Sequence, residues 1–312
     1  MKVLVTGASG FFGRAIMREL RAHGHDAHGA ARRLDGTYAT IAVDITDRDA
    51  VHSVLAAGYD GVVHCAALAH VRLTADDSAR ADAVNAIGAA NVAASAASAG
   101  VANYVFISSV MVYGDHSLEP LVAEDAPLRA RGAYGAAKVA AERATLAVPG
   151  AMRRTILRMA TMYAPDWLFN VRKRVAAPLL GKWCRFSLDP VTPRYSLCSR
   201  EGGAAIVRAA LEARMPTDIF NVADDHVYSQ REIAAAVARL EGPALTVRVP
   251  LALPRLALAI SQRFAAASMA EAARSRYWKF CERNVYSTAR LAAAGLRLPP
   301  QMLDIAGCPA PR

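Results

Sequence analysis

The first thirteen residues constrain the fold of this chain more than any other stretch. A short apolar run at residues 2–5 leads directly into Gly7, Gly10 and Gly13, and apolar residues then recur at helical spacing over residues 14–20. This pattern predicts a β-strand, a tight turn and an α-helix in immediate succession. Glycine has no side chain, so it fits where a backbone turns sharply, approaches a ligand or packs a helix onto a strand.

The glycine spacing also indicates what the turn binds. The chain has Gly-x-x-Gly-x-x-Gly, one residue longer than the Gly-x-Gly-x-x-Gly fingerprint of dinucleotide-binding proteins. The N-terminus of the following helix offers unpaired N–H groups to an anion such as a pyrophosphate. We therefore predict a dinucleotide site formed by Gly7, Ser9, Gly10, Phe11, Phe12 and Gly13.

Length and the order of elements predict the architecture. The chain has 312 residues and no internal repeat, and alanine-rich helical stretches alternate with short β-branched strands through its first half. Such alternation favours an α/β fold with a doubly wound parallel Rossmann sheet. We predict a dinucleotide-binding domain over residues 1–165 with a returning segment at about 195–212, and a smaller C-terminal α/β substrate-binding cap within residues 166–312.

Cysteine usage and hydropathy exclude several classes of protein. The five cysteines include no close pair and no histidine at ligand spacing, so we predict neither a disulfide framework nor a metal site. This usage is typical of a reducing cytoplasm, and the N-terminus shows no cleavable signal pattern. No stretch long enough to span a membrane is sufficiently apolar. Residues 249–260 come nearest, but they contain Pro250, Pro254 and Arg255 and are interpreted as a buried or amphipathic helical element.

The strongly positive charge indicates an anionic ligand. The chain carries 37 Lys and Arg against 27 Asp and Glu, a formal net charge of +10. Basic residues cluster at 153–154 and 172–174, where they could guide an anion into a cleft or simply face solvent. Because they are dispersed and not interleaved with aromatic residues, nucleic acid is not the expected partner. A dinucleotide together with an anionic substrate would use the same charge.

The end of the second predicted strand bears on the choice of cofactor. Residues 27–31 run into Arg32 and Arg33. In a Rossmann unit this position lies beside the adenosine ribose, where a carboxylate binds the 2′-hydroxyl and an arginine pairs with a 2′-phosphate. Arg32 therefore favours NADP over NAD. The alternative is that both arginines stack on adenine or face solvent.

Further cofactor contacts are expected where the next two strands end. Residues 40–47 are predicted as a strand that ends near Asp44 and Ile45. Asp44 would accept a hydrogen bond from the adenine amino group, and Asp47 would cap the next helix. The fourth strand, residues 61–64, runs into small side chains that let a cofactor lie close, namely Cys65, Ala66 and Ala67.

A catalytic group is predicted at the carboxyl end of the fifth strand. Residues 104–107 form this strand, and Ser109 follows at the edge where parallel sheets bind ligands. In a helix predicted from residue 133, Tyr134 and Lys138 lie four residues apart and share one face. The ammonium would then lower the pKa of Tyr134 and make its phenol a general acid or base near neutral pH.

Taken in series, these motifs are much more specific than any one of them. The chain contains, in this order, Thr6-Gly7-x-x-Gly10-x-x-Gly13, Asp44-Ile45-x-Asp47, His64-Cys65-Ala66-Ala67, Ser108-Ser109 and Tyr134-x-x-x-Lys138. Together they resemble the extended short-chain dehydrogenases/reductases, and most closely the nucleotide-sugar epimerase/dehydratase family. The resemblance covers essentially the whole chain, and residues 220–222 resemble a later strand of that family's substrate domain.

The resemblance implies a role for each matching catalytic residue. Ser109 would hydrogen-bond the reacting oxygen of the substrate, and Tyr134 would exchange its proton. Lys138 would hold the nicotinamide ribose, with Ile107 and Tyr134 among the cofactor contacts. A homodimer through the helices predicted at residues 81–99 and 134–147 is a further expectation from the resemblance.

The substrate half resembles the family less closely. Arg194 matches the family's arginine that binds the nucleotide diphosphate, and Arg276 or Arg274 would be a second one. Cys198 occupies the place of a usual histidine, and Glu201 that of a usual aspartate. These departures bear on the identity of the substrate more than on the chemistry.

The residues around Ser109 select among the family's activities. Members that eliminate water from a sugar have Thr-Asp-Glu where this chain has Ser109-Val110-Met111, so dehydration is excluded. A reductase consumes its cofactor and commonly uses NADPH, whereas an epimerase retains NAD, so Arg32 favours a 4-keto reductase of a nucleoside-diphosphate sugar. The alternatives are a 4-epimerase, a reductase of a non-nucleotide ketone or aldehyde, and an NADP-sensing regulatory subunit without chemistry.

Overall fold

The computed structural model, which describes residues 1–68, 83–114, 121–179, 182–189, 193–242 and 244–307, is built around one parallel sheet. Its strands are β1 Lys2–Thr6, β2 Asp26–Ala31, β3 Ile41–Ala42, β4 Gly61–His64, β5 Asn103–Ser109, β6 Arg153–Met159 and β11 Ile219–Val222. All seven are parallel, in the order β11-β6-β5-β4-β1-β2-β3. This is the doubly wound α/β fold predicted from the sequence.

Helices cover both faces of this sheet. In chain order the α-helices are α1 Phe11–Ala22, α2 Arg48–Leu55, α3 Gly88–Ser98, α4 Gly132–Ala147, α5 Phe169–Arg172, α6 Arg200–Leu211, α7 Gln230–Glu241, α8 Ala252–Phe264, α9 Ala267–Cys281, α10 Ala289–Ala293 and α11 Gln301–Ala306. A π-helical turn, Ala83–Ile87, precedes α3, and a 3-10 turn, Val110–Val112, follows β5. One core cluster joins α1 and α6 to the sheet, and a second joins α2 and α3 to its other face.

Apolar composition decides where the central strands form. β4 is buried along its whole length, and β5 is buried between its two terminal residues, as expected for strands covered on both faces. β3 has only two residues, so the predicted strand over residues 40–47 is wrong in its extent. Polar Asp44 accepts hydrogen bonds from the amide and the hydroxyl of Thr46, which folds the chain into a turn.

Helix starts follow the capping chemistry of the sequence. α1 begins at Phe11 rather than at residue 14, because Gly10 is already its N-cap. The side chain of Asp47 accepts hydrogen bonds from the amides of Asp49 and Ala50, so the cap predicted for the next helix is confirmed. The helix predicted over residues 81–99 is present from residue 83 onward, and its first two residues lie outside the described chain.

Two small sheets lie beside the central one. The first contains β7 Thr161–Tyr163, β10 Arg194–Ser199 and β12 Val227–Ser229, and the second contains β8 Ala176–Leu179, β9 Lys182–Asp189 and β13 Thr246–Pro250. α7 and α11 pack together, and a third core cluster joins them to the first small sheet. The division of the chain into two domains at residue 165 stays a prediction.

The C-terminal half differs from the sequence predictions in two places. β11 pairs in parallel with β6, so the assignment of residues 220–222 to the substrate domain is wrong. Residues 249–260 are the end of β13 and most of α8 rather than one helical element, because the residue before Pro250 favours extended backbone. No helix in the described part of the chain is both long and apolar enough to cross a membrane.

Candidate active site

The glycine-rich turn joins β1 to α1 with little space between backbones. Gly7 has a φ of 72°, in the left-handed region that favours glycine, and its amide donates to the Ala30 carbonyl oxygen at 2.8 Å. A Cβ atom on Gly13 would lie 2.1 Å from the Gly7 carbonyl oxygen. One on Gly7 would lie 2.7 Å from the Cα of Ala66. The predicted strand, turn and helix are confirmed, and the spacing of the glycines has a steric cause.

The N-terminus of α1 is suited to an anion. Gly10 precedes the helix with extended backbone, no side chain caps its first turn, and that turn contains no acidic residue. The first N–H groups of a helix have no intrahelical partner and form the positive end of its dipole. Phe11, Phe12 and Gly13 carry these groups at the carboxyl end of β1. The chain therefore fits the pyrophosphate of a dinucleotide at this turn.

The loop after β4 lies directly beside the turn. The Cys65 amide donates to the Thr6 carbonyl oxygen at 3.2 Å, and the Ala66 amide donates to Thr6 Oγ1 at 3.3 Å. Thr6 Oγ1 also hydrogen-bonds Nδ1 of the buried His64 at 2.7 Å. Burial lowers the pKa of His64 to about 3, helped by the nearby Lys138 charge, so this ring is neutral. Thr6 thus holds two adjacent strand ends together behind the cofactor site.

The residues predicted to bind the adenosine half of the cofactor differ in their exposure and in the hydrogen bonds they already make. Arg32 is exposed just after β2 and makes no hydrogen bond or ion pair with any described residue. Asp44 is exposed, but its carboxylate accepts two hydrogen bonds from Thr46 in its own turn. The Ile45 side chain is buried in the core, and its contact with the cofactor stays a prediction. Arg32 is the group best placed to take a new anionic partner.

The three predicted catalytic residues meet at the carboxyl end of β5. Ser109 is the last residue of that strand, and its Oγ accepts a hydrogen bond from the Met111 amide at 3.2 Å. The Tyr134 phenol, on α4, lies near the Ser109 side chain, which acts to lower the pKa of that phenol. The buried Lys138 donates from Nζ to the Ile107 carbonyl oxygen at 2.7 Å and lies 6.0 Å from the centre of the Tyr134 ring. A serine, a tyrosine and a lysine are therefore held within one small volume.

Burial controls the acidity of this group. It raises the pKa of Tyr134 to about 12, with a further rise from Cys65 that the Ser109 hydrogen bond only partly opposes. It lowers the pKa of Lys138 to about 8, against the opposing charges of Cys65 and Glu142. The predicted lowering of the Tyr134 pKa is therefore wrong for the chain alone. Its physical reason is that Lys138 directs its ammonium to a backbone carbonyl while desolvation penalises the phenolate.

A buried ion pair fixes the helix that carries Tyr134 and Lys138. Glu142 lies one turn beyond Lys138 and accepts hydrogen bonds from Arg158 Nε at 3.0 Å and Nη2 at 2.7 Å. Ser108, next to Ser109, donates to the same carboxylate. Glu142 and Arg158 are both about 2% exposed. The sequence reasoning missed this pair, although an arginine within an apolar strand and a glutamate within an alanine-rich helix were available signals.

The polar network continues toward the seventh strand. Arg158 Nη1 donates to the Tyr113 hydroxyl oxygen at 2.9 Å, and that hydroxyl donates to Asn221 Oδ1 at 2.6 Å. The backbone amide of Asn221 in turn donates to Glu124 Oε1 at 2.9 Å. Buried polar groups need such partners because their desolvation is costly. The network therefore accounts for the polar residue in the middle of β11.

The predicted substrate arginines are both exposed and make few described contacts. Arg194 is exposed on β10 and donates from Nη1 to the Val227 carbonyl oxygen at 3.1 Å, while Arg276 is exposed on α9. No described contact joins Arg194 or Arg276 to Ser109. Cys198 is fully buried, and burial raises the pKa of its thiol well above the ordinary value. Glu201 is on the surface, where it pairs with Arg200 at 2.7 Å.

An aromatic contact ties the glycine-rich turn to the region after β7. The rings of Phe11 and Trp167 lie 4.1 Å apart between centroids, and Trp167 contacts Phe169 at 5.9 Å. The Arg200 guanidinium lies over the Phe11 ring, 4.9 Å from its centroid. The first residue of α1 is thus packed by side chains that follow β7 and β10.

The amino-acid sequence matches a family model and several curated proteins. The model of the NAD dependent epimerase/dehydratase family matches residues 3–185. The chain is 33% identical over 180 residues to a dTDP-4-dehydrorhamnose reductase from Mycolicibacterium smegmatis, which covers 56% of this chain and 51% of that protein. It is 32% identical over 145 residues to a UDP-glucose 4-epimerase from Corynebacterium glutamicum, covering 45% and 44%. The chain thus spans about half the length of these curated relatives.

Solved structures match nearly the whole chain. A short-chain dehydrogenase/reductase superfamily protein from Agrobacterium tumefaciens with bound NAD has a TM-score of 0.75 at 22% identity, covering 98% of this chain and 96% of that one. The Bordetella bronchiseptica enzyme WbmG, in complex with NAD and UDP, has a TM-score of 0.72 at 19% identity, covering 98% and 93%. These likenesses show a shared fold. Since the family model matches more than half of its residues, the chain belongs to the NAD dependent epimerase/dehydratase family.

Proposed function

We propose that the protein is an NADP(H)-dependent reductase of the C4 carbonyl of a nucleoside-diphosphate sugar. The observation that carries the proposal is the meeting of Ser109, Tyr134 and Lys138 beside the glycine-rich turn. The nicotinamide, when bound, supplies the hydride that reduces the carbonyl carbon. Tyr134 donates the proton that the carbonyl oxygen needs, and Ser109 holds that oxygen within hydrogen-bond reach. Lys138 would hold the ribose hydroxyls with its ammonium.

The acidity of Tyr134 supports the direction of reduction. With a pKa of about 12, its phenol carries its proton throughout the neutral range. Oxidation of an alcohol needs a group that accepts a proton, whereas reduction of a carbonyl needs one that donates it. The chain alone therefore offers the form of tyrosine that reduction uses.

Replacing the tyrosine hydroxyl tests these roles. We expect Tyr134→Phe to lower turnover of a 4-keto nucleotide sugar by about 10²- to 10⁴-fold, the usual contribution of a general acid. NADPH affinity, measured by fluorescence titration, should change far less than turnover, because Tyr134 is only one of many predicted cofactor contacts. Tyr59→Phe, at the opposite end of the sheet just before β4, is the matched control. Full turnover by Tyr134→Phe would contradict the assignment.

The preference for NADP rests on Arg32, which follows β2 and lacks a partner among the described residues. A guanidinium at this position pairs with a 2′-phosphate, and a carboxylate would instead bind a 2′-hydroxyl. We expect Arg32→Glu to weaken NADPH binding by roughly tenfold or more and to favour NADH. Arg33→Glu, an exposed neighbour, controls for the change of net charge. Equal NADPH and NADH affinities in the unmodified protein would remove the basis of this preference.

Recognition of a nucleoside diphosphate rests on Arg194, whose exposed guanidinium has one described hydrogen bond, to the Val227 carbonyl. Calorimetric titration with UDP and with dTDP tests it. Arg194→Ala should weaken the better ligand by roughly tenfold, because a charge-assisted contact to phosphate is lost. Arg231→Ala, an exposed arginine on α7, is the control. Unchanged affinity in Arg194→Ala would favour a substrate without a diphosphate.

A 4-epimerase is the second candidate. UDP-glucose 4-epimerases are among the relatives, and several similar structures contain NAD. An epimerase oxidises a carbon and then reduces the same carbon again, so it keeps its cofactor. A reductase consumes its cofactor and exchanges it. Nucleotide extracted from the purified protein separates the two. Stoichiometric NAD would favour epimerisation, and an empty protein that binds NADPH more tightly than NADH would favour reduction.

A homodimer through the helical region at residues 83–98 and α4 is proposed from the resemblance. These helices carry the exposed apolar side chains of Ile87 and Leu146. Light scattering coupled to gel filtration tests the assembly. A dimer that Ile87→Arg converts to a monomer supports it, and a monomer at all concentrations opposes it.

A further inference from the structure

One face of α8 is apolar and uncovered. Leu253, Leu256, Ile260 and Phe264 recur at intervals of three and four residues, which places them along one side of the helix. They are 57%, 58%, 51% and 80% exposed, respectively, and no residue of the helix is buried. Met269, 65% exposed, continues the apolar surface at the start of α9. These five residues are called the α8 stripe below.

The stripe faces away from the rest of the protein. The half-buried residues of α8 are Pro254, Leu258 and Ser261, which lie on a different side of the helix. Arg255 Nε contacts the Tyr277 hydroxyl of α9 at 3.3 Å, so α8 is packed on α9 by its other faces. Contiguous exposed apolar surface of this kind marks an interaction site rather than ordinary surface.

The charge around the stripe indicates what covers it. Between Gly242 and Cys281 the sequence has a single acidic residue, Glu271, against six basic ones, Arg248, Arg255, Arg263, Arg274, Arg276 and Lys279. A symmetric contact with a second copy would bring these like charges together, which opposes association. An anionic surface with an apolar layer beneath it matches both the arginines and the stripe.

We propose that α8 docks the protein onto the surface of an anionic phospholipid bilayer. The stripe lies at the boundary between headgroups and acyl chains, and Arg263, which lies beside the stripe on the helix, contacts lipid phosphates. The helix has 13 residues and is about 20 Å long, shorter than the roughly 30 Å hydrocarbon layer, so it lies in the plane of the interface. The proposal is independent of the reaction proposed above, because α8 contains no residue assigned to it.

Sedimentation of the full chain with lipid vesicles tests the docking. We expect binding to vesicles of phosphatidylglycerol mixed with phosphatidylcholine, weaker binding to phosphatidylcholine alone, and a decline with added salt. The double variant Leu256→Gln/Phe264→Gln should bind about tenfold less, because two apolar anchors are lost. Leu121→Gln, which changes a leucine that is 51% exposed elsewhere, should bind like the unmodified protein.

Further measurements make the result decisive. Circular dichroism and NADPH titration report whether each variant is folded, and Arg263→Gln tests the charge contribution without altering the stripe. In Phe264→Trp, tryptophan emission should shift to shorter wavelength with anionic vesicles. Absence of vesicle binding by the unmodified protein, or equal binding by the stripe variant, overturns the proposal. So does a dimer that the stripe variant converts to a monomer, since a second copy would then be the occupant.

Discussion

Burial, more than proximity of charge, sets the protonation of the predicted catalytic side chains Tyr134 and Lys138. Tyr134 keeps its proton because its pKa is raised to about 12, and Lys138 has a pKa lowered to about 8 although Glu142 and the Cys65 thiol oppose the shift. At neutral pH the pair therefore consists of a neutral phenol and a charged amine. This is the combination that donates a proton and attracts hydroxyl oxygens.

The lowered pKa of Lys138 predicts how cofactor binding depends on pH. The group is charged below about pH 8 and becomes neutral above it, so NADPH affinity should fall as pH rises through that value. Fluorescence titrations between about pH 7 and pH 9.5 measure the effect, and Lys138→Gln should remove the slope and bind more weakly at neutral pH. A flat profile for the unmodified protein would show that the lysine charge does not contribute to binding.

At the scale of elements, the turn and the helices hold the site in place through close backbone contacts and one buried ion pair. Gly13 lets α1 approach β1, while Glu142 and Arg158 fasten α4 to the central sheet. Each of these contacts joins two different elements of the fold. Their contributions can be measured apart from the chemistry.

The two glycines of the turn should respond differently to a methyl group. A Cβ on Gly13 would lie 2.1 Å from the Gly7 carbonyl oxygen, whereas one on Gly10 would lie 3.2 Å from the same atom. We expect Gly13→Ala to lower the free energy of unfolding by about 1–3 kcal/mol and Gly10→Ala to change it by less than about 1 kcal/mol. Urea denaturation without cofactor is the measurement. Equal losses would mean that α1 shifts to relieve the overlap.

The Glu142–Arg158 pair should show strong coupling. Glu142→Gln leaves a buried guanidinium without its counter-charge, at a cost of about 3–5 kcal/mol in unfolding free energy. The double variant Glu142→Leu/Arg158→Met should lose less than the sum of its single changes. Glu241→Ala, which breaks the more exposed pair with Arg172, should cost less than about 1 kcal/mol. Additive losses would indicate that the two charges act independently.

The accuracy of the sequence predictions follows the range of the interactions concerned. β1, β4, β5 and the helix carrying Tyr134 were predictable because apolar periodicity is a local property. Membership of β11 in the central sheet and the partner of Arg158 depend on segments distant in sequence, which periodicity does not report. The pKa of Tyr134 was predicted with the wrong sign because desolvation comes from neighbours on other elements, Cys65 among them. For Arg194 and Arg276, residue type indicates phosphate binding, and their assignment to the substrate stays a prediction.

At the scale of the whole molecule, Asp224 joins the central sheet to a small one. It follows β11, and its Oδ2 accepts hydrogen bonds from the hydroxyls of Tyr163 on β7 at 2.6 Å and Tyr228 on β12 at 2.7 Å. Its Oδ1 accepts from the Ser199 amide at the start of α6 at 2.9 Å. Burial raises the pKa of Asp224 from 3.8 to about 6, although these hydrogen bonds oppose the shift.

This raised pKa predicts a pH-dependent stability. The folded state holds a proton on Asp224 up to about pH 6, whereas the unfolded state releases it near 3.8. The resulting stabilisation is fully present below the lower value and is lost as pH rises through the higher one. Relative to Asp224→Asn, the unmodified protein should lose roughly 2–3 kcal/mol of unfolding free energy from about pH 4 to pH 7. Urea denaturation across this range measures the difference, and a gain with rising pH would contradict it.

The seventh strand completes the central sheet only after the chain has made a long excursion. β11 pairs with β6, and residues 160–218 lie between them. A ribosome adds these residues in roughly 3–12 s, and through that time the outer edge of β6 has free backbone groups beside buried Ile156 and Leu157. Nascent chains that stop before Ile219 would therefore pair with one another at this edge. In the complete protein, β11 therefore also protects the outer edge of β6 from pairing with other chains.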